Sequence, residues 1–268
     1  SAAYRFRTNG RGDRRMYAEE RQQSILTQAR ASGRVEVVAL SDELGVTVET
    51  VRRDLTALER LGLLRRVHGG AIPVERFELE PTLATRRTQY SDEKRRIAAR
   101  ALELIPDGST VLFDAGTTTQ AIVELLPAGL TLTVVTNSSN IGADLAGREG
   151  IDLYQLGGRV RPLTGAAVGE WTIAALQDLS VDVAFLGTNG LDLDRGLTTP
   201  DQAEAAVKRA MVAAARRTVV VTDASKVGQV HFHRFADLAD VALLITDERL
   251  DDETATQIDN RGTDVVRA

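Results

Sequence analysis

After Pro106 the chain alternates between two textures, and this alternation limits its fold more than any other feature. Six apolar runs, "TVLFDA", "LTLTVVTN", "IDLYQLGG", "VDVAFLGTNG", "RTVVVTD" and "VALLITD", are separated by helical stretches near 118–126, 138–147, 170–178, 200–216 and 250–259. A strand with one wet face would alternate apolar and polar residues, whereas these runs are apolar almost throughout. Such strands are buried on both sides. With a helix between successive strands, the expected architecture is α/β: a mostly parallel sheet covered on both faces.

Polar residues and glycines gather where the runs end. They are Asp114-Ala115-Gly116-Thr117-Thr118-Thr119, Thr136-Asn137-Ser138, Gly157-Gly158-Arg159, Gly187-Thr188-Asn189-Gly190 and Asp223-Ala224-Ser225-Lys226. An open parallel sheet binds ligands outside the carboxyl ends of its strands, so these loops predict one cleft. Gly116 allows close approach of the backbone. Thr117, Thr118 and Thr119 then open a helix whose free N–H groups and hydroxyls suit an oxyanion. Neither G-x-x-x-x-G-K-[ST] nor G-x-G-x-x-G occurs, which disfavours a nucleotide and calls for no cofactor. A phosphate or carboxylate on a small polyol fits better. The chain has three lysines, and Lys208 and Lys226 fall near this cleft, where Arg159 can add charge. Asp114, Asp201, Asp223 and Glu204 can accept from sugar hydroxyls. Glu204 and Lys208 are also four residues apart, so a surface ion pair worth about 0.2–0.5 kcal/mol competes with a site role for both.

Other chemistries find little support. There is no cysteine, which excludes disulfides, thiolate metal sites and cysteine nucleophiles, and suits a reducing cytoplasm. His231-Phe232-His233 has no clearly placed third ligand, so no metal site is expected. No G-x-S-x-G elbow occurs. Trp171 is expected to pack its helix rather than to serve as a sugar platform. No apolar run approaches the roughly 18 residues of a membrane span.

The first part of the chain has a different character. From Ser1 to Arg76 there are 14 arginines against 10 acidic residues, a balance of +4, leaving −9 on the rest of a chain whose total is −5. A basic end on an acidic chain hints at nucleic acid. Ser1–Arg15 lack an apolar core, so they are no secretory signal and read as a leader, added or a flexible basic arm; the patterned region starts at Met16. Helices are expected from about Ala18 to Arg30 and from Val37 to Leu44. "LGVTVETVRRDLTALERLG" then places Val48, Val51, Leu55 and Leu58 at helical spacing behind Thr47, a plausible N-cap. At about 100° per residue, Glu49, Arg53, Thr56 and Arg60 point away, with Thr50 and Arg52 flanking. "LLRRVHGGAI" has the form of a hairpin carrying Arg65, Arg66 and His68. A helix-turn-helix lays this part of its third helix in the major groove, where arginine pairs with guanine or grips phosphate, and a wing would meet the backbone. A generic small helical domain is the competing reading. Asp54 and Glu59 are expected to pair structurally with arginines. The organisation expected is a winged helix-turn-helix over 16–73, a linker over 74–92 and a ligand-binding domain over 93–268. The charged run at Lys94-Arg95-Arg96 reads as a solvated helix face.

These motifs together resemble the DeoR family of bacterial transcription regulators over nearly the whole chain after Met16. "LGVTVETVRRDLTALERLGLLRRVHGGA" is similar to the family's helix-turn-helix signature, and "DAGTTT", "VVTNS", "LGG", "FLGTNG", "AEAAVKRAM" and "DASKVG" to its effector-domain motifs. The resemblance implies a winged helix, a C-terminal domain similar to ribose-5-phosphate isomerase and coenzyme A transferases, sensing of phosphorylated sugars, and assembly into dimers or tetramers. It implies DNA contacts by Thr50, Arg52 and Arg53. It implies a sugar-phosphate site at Asp114, Gly116 to Thr119, Asn137, Gly187, Asn189, Gly190, Glu204, Lys208 and Lys226. "VDVAFLGTNGLDLDRGLTTPDQAEAAVKRAM" most resembles fructose-operon repressors of actinobacteria, which suggests fructose 1-phosphate. Val227 departs from the pattern, since the family often has an aromatic there. The expected function is a cytoplasmic, operator-binding repressor rather than an enzyme. The alternatives are a sugar-phosphate isomerase, with Asp114 or Glu204 as base and Lys208 or Lys226 stabilising an enediolate, and an activator using the same sensor.

Overall fold

A computed structural model describes residues 18–32, 34–60, 63–67, 69–73 and 81–268, and the chain divides into two compact units, Ser1–Arg76 and Phe77–Ala268. The leader, His68 and residues 74–80 lie outside the described residues.

The first unit runs α1 (Ala18–Ser32), β1 (Val35–Glu36), α2 (Val37–Leu44), α3 (Val48–Arg60), β2 (Leu64–Val67) and β3 (Gly70–Pro73). The helical spacing of the sequence becomes the core: Ile25, Leu26 and Ala29 of α1 pack with Val51, Leu55 and Leu58 of α3 and Leu40 of α2. Val48 is only half-buried, and Asp54 takes a buried place instead. Its carboxylate accepts from Arg21 Nε and Nη2 at 2.5 and 3.1 Å, with both side chains under a tenth exposed. Glu59 accepts from the Arg66 amide at 2.9 Å. The hairpin β2–β3 forms as its turn signal suggests. A short strand not evident in the sequence joins it, giving the order β1-β3-β2.

The second unit opens with α4 (Leu83–Thr88) and α5 (Ser91–Leu102). It continues β4 (Thr110–Phe113), α6 (Thr117–Glu124), β5 (Leu132–Thr136), α7 (Ser139–Leu145), β6 (Ile151–Gln155), β7 (Arg159–Val160), β8 (Ala167–Val168), α8 (Glu170–Gln177) and β9 (Val183–Leu186). Then follow β10 (Gly190–Asp192), β11 (Gly196–Thr199), α9 (Gln202–Ala214), β12 (Thr218–Val221), β13 (His233–Ala236), β14 (Leu243–Thr246), α10 (Asp252–Asp259) and β15 (Asp264–Arg267). Seven strands form one sheet in the order β15-β14-β12-β9-β4-β5-β6, and every pair is parallel. Successive residues of a strand serve opposite faces. Val111 and Phe113 pack with α5, α6 and α7, while Leu112 packs with α8, α9 and α10. Among the described residues no helix is long and apolar enough to cross a membrane.

The connection order matters for the site. The chain builds β4, β5 and β6 outward, then returns to lay β9, β12, β14 and β15 on the other side. The switch point therefore falls between β4 and β9, where their following loops part and leave a crevice. Three features differ from the sequence reading. Residues 83–88, expected within a linker, form α4, whose Thr82 hydroxyl caps the Thr85 amide at 3.3 Å. This helix buries none of its residues, so it has no hydrophobic period to detect. Lys94, expected on a solvated face, is buried. Trp171, expected to pack its helix, is 80% exposed.

Replacing Asp54 with alanine is expected to destabilise the first unit by about 3–5 kcal/mol, the cost of leaving the buried Arg21 guanidinium without its partner. Urea unfolding of the full chain, followed by helical circular dichroism, should then show an early transition that the parent lacks.

Candidate functional site

The loops after β4, β9 and β12 meet as the topology requires. Gly116, Thr117 and Thr118, Gly187 and Thr188, and Asp223 and Lys226 line one pocket. At its floor α6 begins directly after Gly116, which has no side chain to cap it, and no side-chain cap closes this terminus. The positive end of the helix is thereby presented to the pocket. The Lys226 loop is held from below: Asp247 accepts from the Ala224 amide at 2.7 Å, and Asp223 accepts from the Ser225 amide at 3.2 Å.

The pocket also receives residues that sequence reasoning missed. Arg86, Gln89, Tyr90 and Lys94 form its remaining wall. They come from α4, its exit and the first turn of α5. The sequence shows them only as an aperiodic stretch followed by a charge run, and the one usable signal was a lysine three places before the buried Ile97. The Lys94 ammonium donates to the carbonyls of Arg86 and Gln89, the latter at 2.7 Å. Burial pulls the pKa of Lys94 down to about 8, helped by Arg86 and Lys226 and opposed by Asp223 and Glu93.

Most other candidates serve to build the site. Asp114 is buried and pairs with Lys208, whose ammonium also donates to the Gly187 carbonyl at 2.9 Å. Burial pushes the Asp114 carboxyl up, and Lys208 works against that rise. Thr119 donates to the carbonyls of Asp114 and Gly116 at 2.6 and 2.9 Å, and Thr136 to that of Phe113 at 2.7 Å. Asn137 accepts from the Ala115 amide at 2.9 Å and donates to the Ala167 carbonyl at 3.2 Å, so it braces the loop after β4. Asn189 accepts from the Thr199 hydroxyl at 3.0 Å. A side chain on Gly190 would strike the Gln229 carbonyl, with an ideal Cβ only 2.4 Å away, so glycine here is a packing requirement.

Two expectations need correction. Glu204 and Lys208 do not form the surface pair that their spacing allowed, because both are buried and each faces a different partner. Glu204 accepts from Arg161 at 2.6 Å and from the Thr164 hydroxyl at 2.6 Å. Asp201 caps α9 at the Glu204 amide, 2.9 Å away, and faces Arg161 at 3.3 Å. Both acids are thus engaged by the loop between β7 and β8. Gly157, Gly158 and Arg159 do not join the pocket of Thr117 and Lys226. Gly158 and Arg159 border a separate groove beside Trp171. Gly158 has φ 144°, and a Cβ there would lie 2.3 Å from Thr172 Oγ1, so its constraint is conformational. Among the described residues no group of three or more His, Asp or Glu could hold a metal ion.

On the first unit, α3 presents Thr50, Arg52 and Arg53 on one concave face with Glu49, Thr56 and Arg60. Thr47 uses its hydroxyl as the helix cap, accepting from the Thr50 amide at 3.2 Å. Arg66 turns back on α3, donating to Thr56 Oγ1 at 3.1 Å and the Arg52 carbonyl at 3.3 Å. For Arg65 only the strand backbone is described.

Residues 89–248 match the family described as the DeoR C-terminal sensor domain, and residues 21–77 the DeoR-like helix-turn-helix domain. The chain belongs to the DeoR family of transcriptional regulators. Among DeoR-type relatives, the HTH-type transcriptional regulator GlpR of Haloferax volcanii is 40% identical, covering 94% of this chain and 98% of its own length. The glycerol-3-phosphate regulon repressor of Haemophilus influenzae is 34% identical, covering 84% of this chain and 88% of its own. Among solved structures, the ribose 5-phosphate isomerase A of Methanocaldococcus jannaschii is similar over 52% of this chain and 55% of its own, at 20% identity and a TM-score of 0.39. That likeness is too slight to carry a function across.

The pocket's anion affinity is expected to fall as pH rises through about 8, because Lys94 is charged below that value and neutral above it. An ordinary lysine would keep its proton to about pH 10.4, and a phosphate monoester, with its second pKa near about 6, does not titrate in this window. Calorimetric titration with a phosphorylated sugar across this range, on the parent and on Lys94→Met, checks it: the pH dependence should vanish in the variant.

Proposed function

We propose that this DeoR-family chain is an operator-binding repressor of a sugar-catabolism operon, relieved when a phosphorylated sugar occupies the pocket between β4 and β9. The observation that carries the reading is convergence. The uncapped start of α6, Lys226, Lys94 and Arg86 all reach one pocket. Backbone N–H groups and cations together form the chemistry that holds a phosphate monoester. The name of the Haemophilus relative, glycerol-3-phosphate regulon repressor, agrees with a phosphorylated polyol as the signal. Fructose 1-phosphate is the first candidate, from the resemblance in the stretch around "FLGTNG".

The first unit supplies the DNA-binding half. The exposed face of α3 offers Arg52, Arg53 and Thr50 to base edges and phosphates. A homo-oligomer would set two such helices at a fixed separation and read repeated half-sites. The proposed domains are a DNA-binding unit over 16–73, a connection over 74–92 that includes α4, and an effector-binding unit over 93–268.

The isomerase alternative needs a carboxylate poised as a base. Asp114 and Glu204 are instead tied to Lys208 and Arg161. A turnover assay on pentose and hexose phosphates separates the two readings, with sustained product formation favouring the enzyme.

Two substitutions should dissociate the halves. Arg53→Ala is expected to weaken operator binding by about 1–3 kcal/mol while leaving the thermal shift with sugar phosphate intact. Lys226→Ala should bind the operator as the parent does, yet lose the effector response. A Lys226→Ala protein that responds normally to every sugar phosphate active on the parent would place the effector elsewhere.

A further inference from the structure

The enclosed part of the pocket is small, about 30 Å³. A single water needs roughly 10–15 Å³, so a phosphate group fills the enclosed space and an attached sugar must press on its wall or extend past it. The segment that closes it is the most weakly held wall. Helix α4 has six residues and buries none of them. An isolated helix of that length is not stable in water. Its C-terminal end is retained by the Lys94 ammonium on the carbonyls of Arg86 and Gln89, and by the Tyr90 ring beneath the Arg249 guanidinium at 4.2 Å. Tyr90 itself stands at φ 55°, ψ 40°, where no other non-glycine residue among those described has a positive φ. A bulky residue in that region is strained, so the closed position carries its own bias toward opening.

Resting on the effector reading above, we propose that the sugar body displaces Leu83–Tyr90 on binding, and that this displacement is the signal passed toward DNA. The phosphate occupies the seat formed by α6 and Lys226. It draws the Lys94 ammonium off the carbonyls of α4, because a dianion outcompetes two neutral acceptors for that charge. The sugar then fills the space of Gln89 and Tyr90, and Tyr90 leaves its strained conformation. Only residues 74–80 separate Pro73, at the end of β3, from the described start of this segment at Pro81. The element displaced by the ligand is therefore the element through which the chain enters the DNA-binding unit.

The test is amide hydrogen exchange on the full chain, read by mass spectrometry over peptides spanning 83–92, with melting temperature followed in parallel. Saturating fructose 1-phosphate is expected to speed exchange of the Arg86 and Gln89 amides about tenfold, within the usual size of a ligand-driven coupling. Inorganic phosphate, which draws off Lys94 but brings no sugar body, should speed that exchange less than fructose 1-phosphate does. Lys94→Met should show raised exchange over the same peptides without any ligand and weaker operator binding than the parent. A sugar phosphate that raises the melting temperature while exchange over 83–92 stays as in the free protein would overturn the inference and leave the effector reading standing. If no phosphorylated sugar raises the melting temperature, the effector reading fails and the inference fails with it.

Discussion

The buried contact between Lys208 and Asp114 ties together everything that makes the pocket. Asp114 directly follows β4, Lys208 lies in the middle of α9, and the same ammonium holds the Gly187 carbonyl after β9. The two strands at the switch point are thus clamped from one side by a single charge. Burying an ion pair costs desolvation, and its attraction does little more than offset that cost, so the pair is poor evidence of added stability. What it does is fix geometry. It sets where the loops after β4 and β9 diverge, and so where the first turn of α6 points. The Phe113–Phe185 stack, with ring centroids 5.6 Å apart, locks the same two strands on the opposite face of the sheet.

A second layer repeats the pattern further out. Arg161 enters from the loop between β7 and β8 and gathers Glu204 and Asp201 at the start of α9. Glu204 and Lys208 therefore face different partners one helical turn apart, and α9 serves as a rigid bar carrying both. The pocket's cations, Lys226, Lys94 and Arg86, lie on the other side, where the half-exposed Arg249 links Asp247 to the Tyr90 ring. The site is rigid at its floor and light at its wall. That division suits a sensor, since the elements that move must come from the weakly held part of a structure.

The sequence made the sheet, its helices and the loop cluster legible because each rests on a local pattern: apolar runs, helical spacing, and polar residues at strand ends. It also singled out Gly116, Thr117, Thr118 and Lys226, whose chemistry and position agree. It left roles open where they depend on long-range partners. A surface pair of Glu204 and Lys208 competed with a site role because four-residue spacing says nothing about Arg161 or Asp114, which are 43 and 94 residues away. Arg86 and Lys94 went unseen for a different reason. Helix α4 buries nothing, so no hydrophobic period marks it, and a lysine buried by its contacts to two carbonyls looks the same in sequence as one in solvent. Strand β15 and the hairpin of β7 and β8 escaped because short, half-exposed strands carry no continuous apolar run.

Energetics decide how far such a switch can go. A typical coupling between two ligands is about 1–3 kcal/mol, whereas carrying a population from 1:99 to 99:1 takes about 5.5 kcal/mol. Displacing one short segment held by a few side-chain contacts, among them the two Lys94 hydrogen bonds, the Arg87–Glu124 pair and the Tyr90 ring against Arg249, would belong to the first range. A single subunit would therefore shift operator affinity without abolishing it. Closing the gap requires subunits that act on one DNA site together, each adding its own coupling, so oligomerisation would serve the steepness of the response as well as the geometry of the half-sites. A weak wall is then no defect. A wall strong enough to hold the closed state alone would exclude the ligand at physiological concentration, and one much weaker would leave the segment open whether or not the ligand was bound.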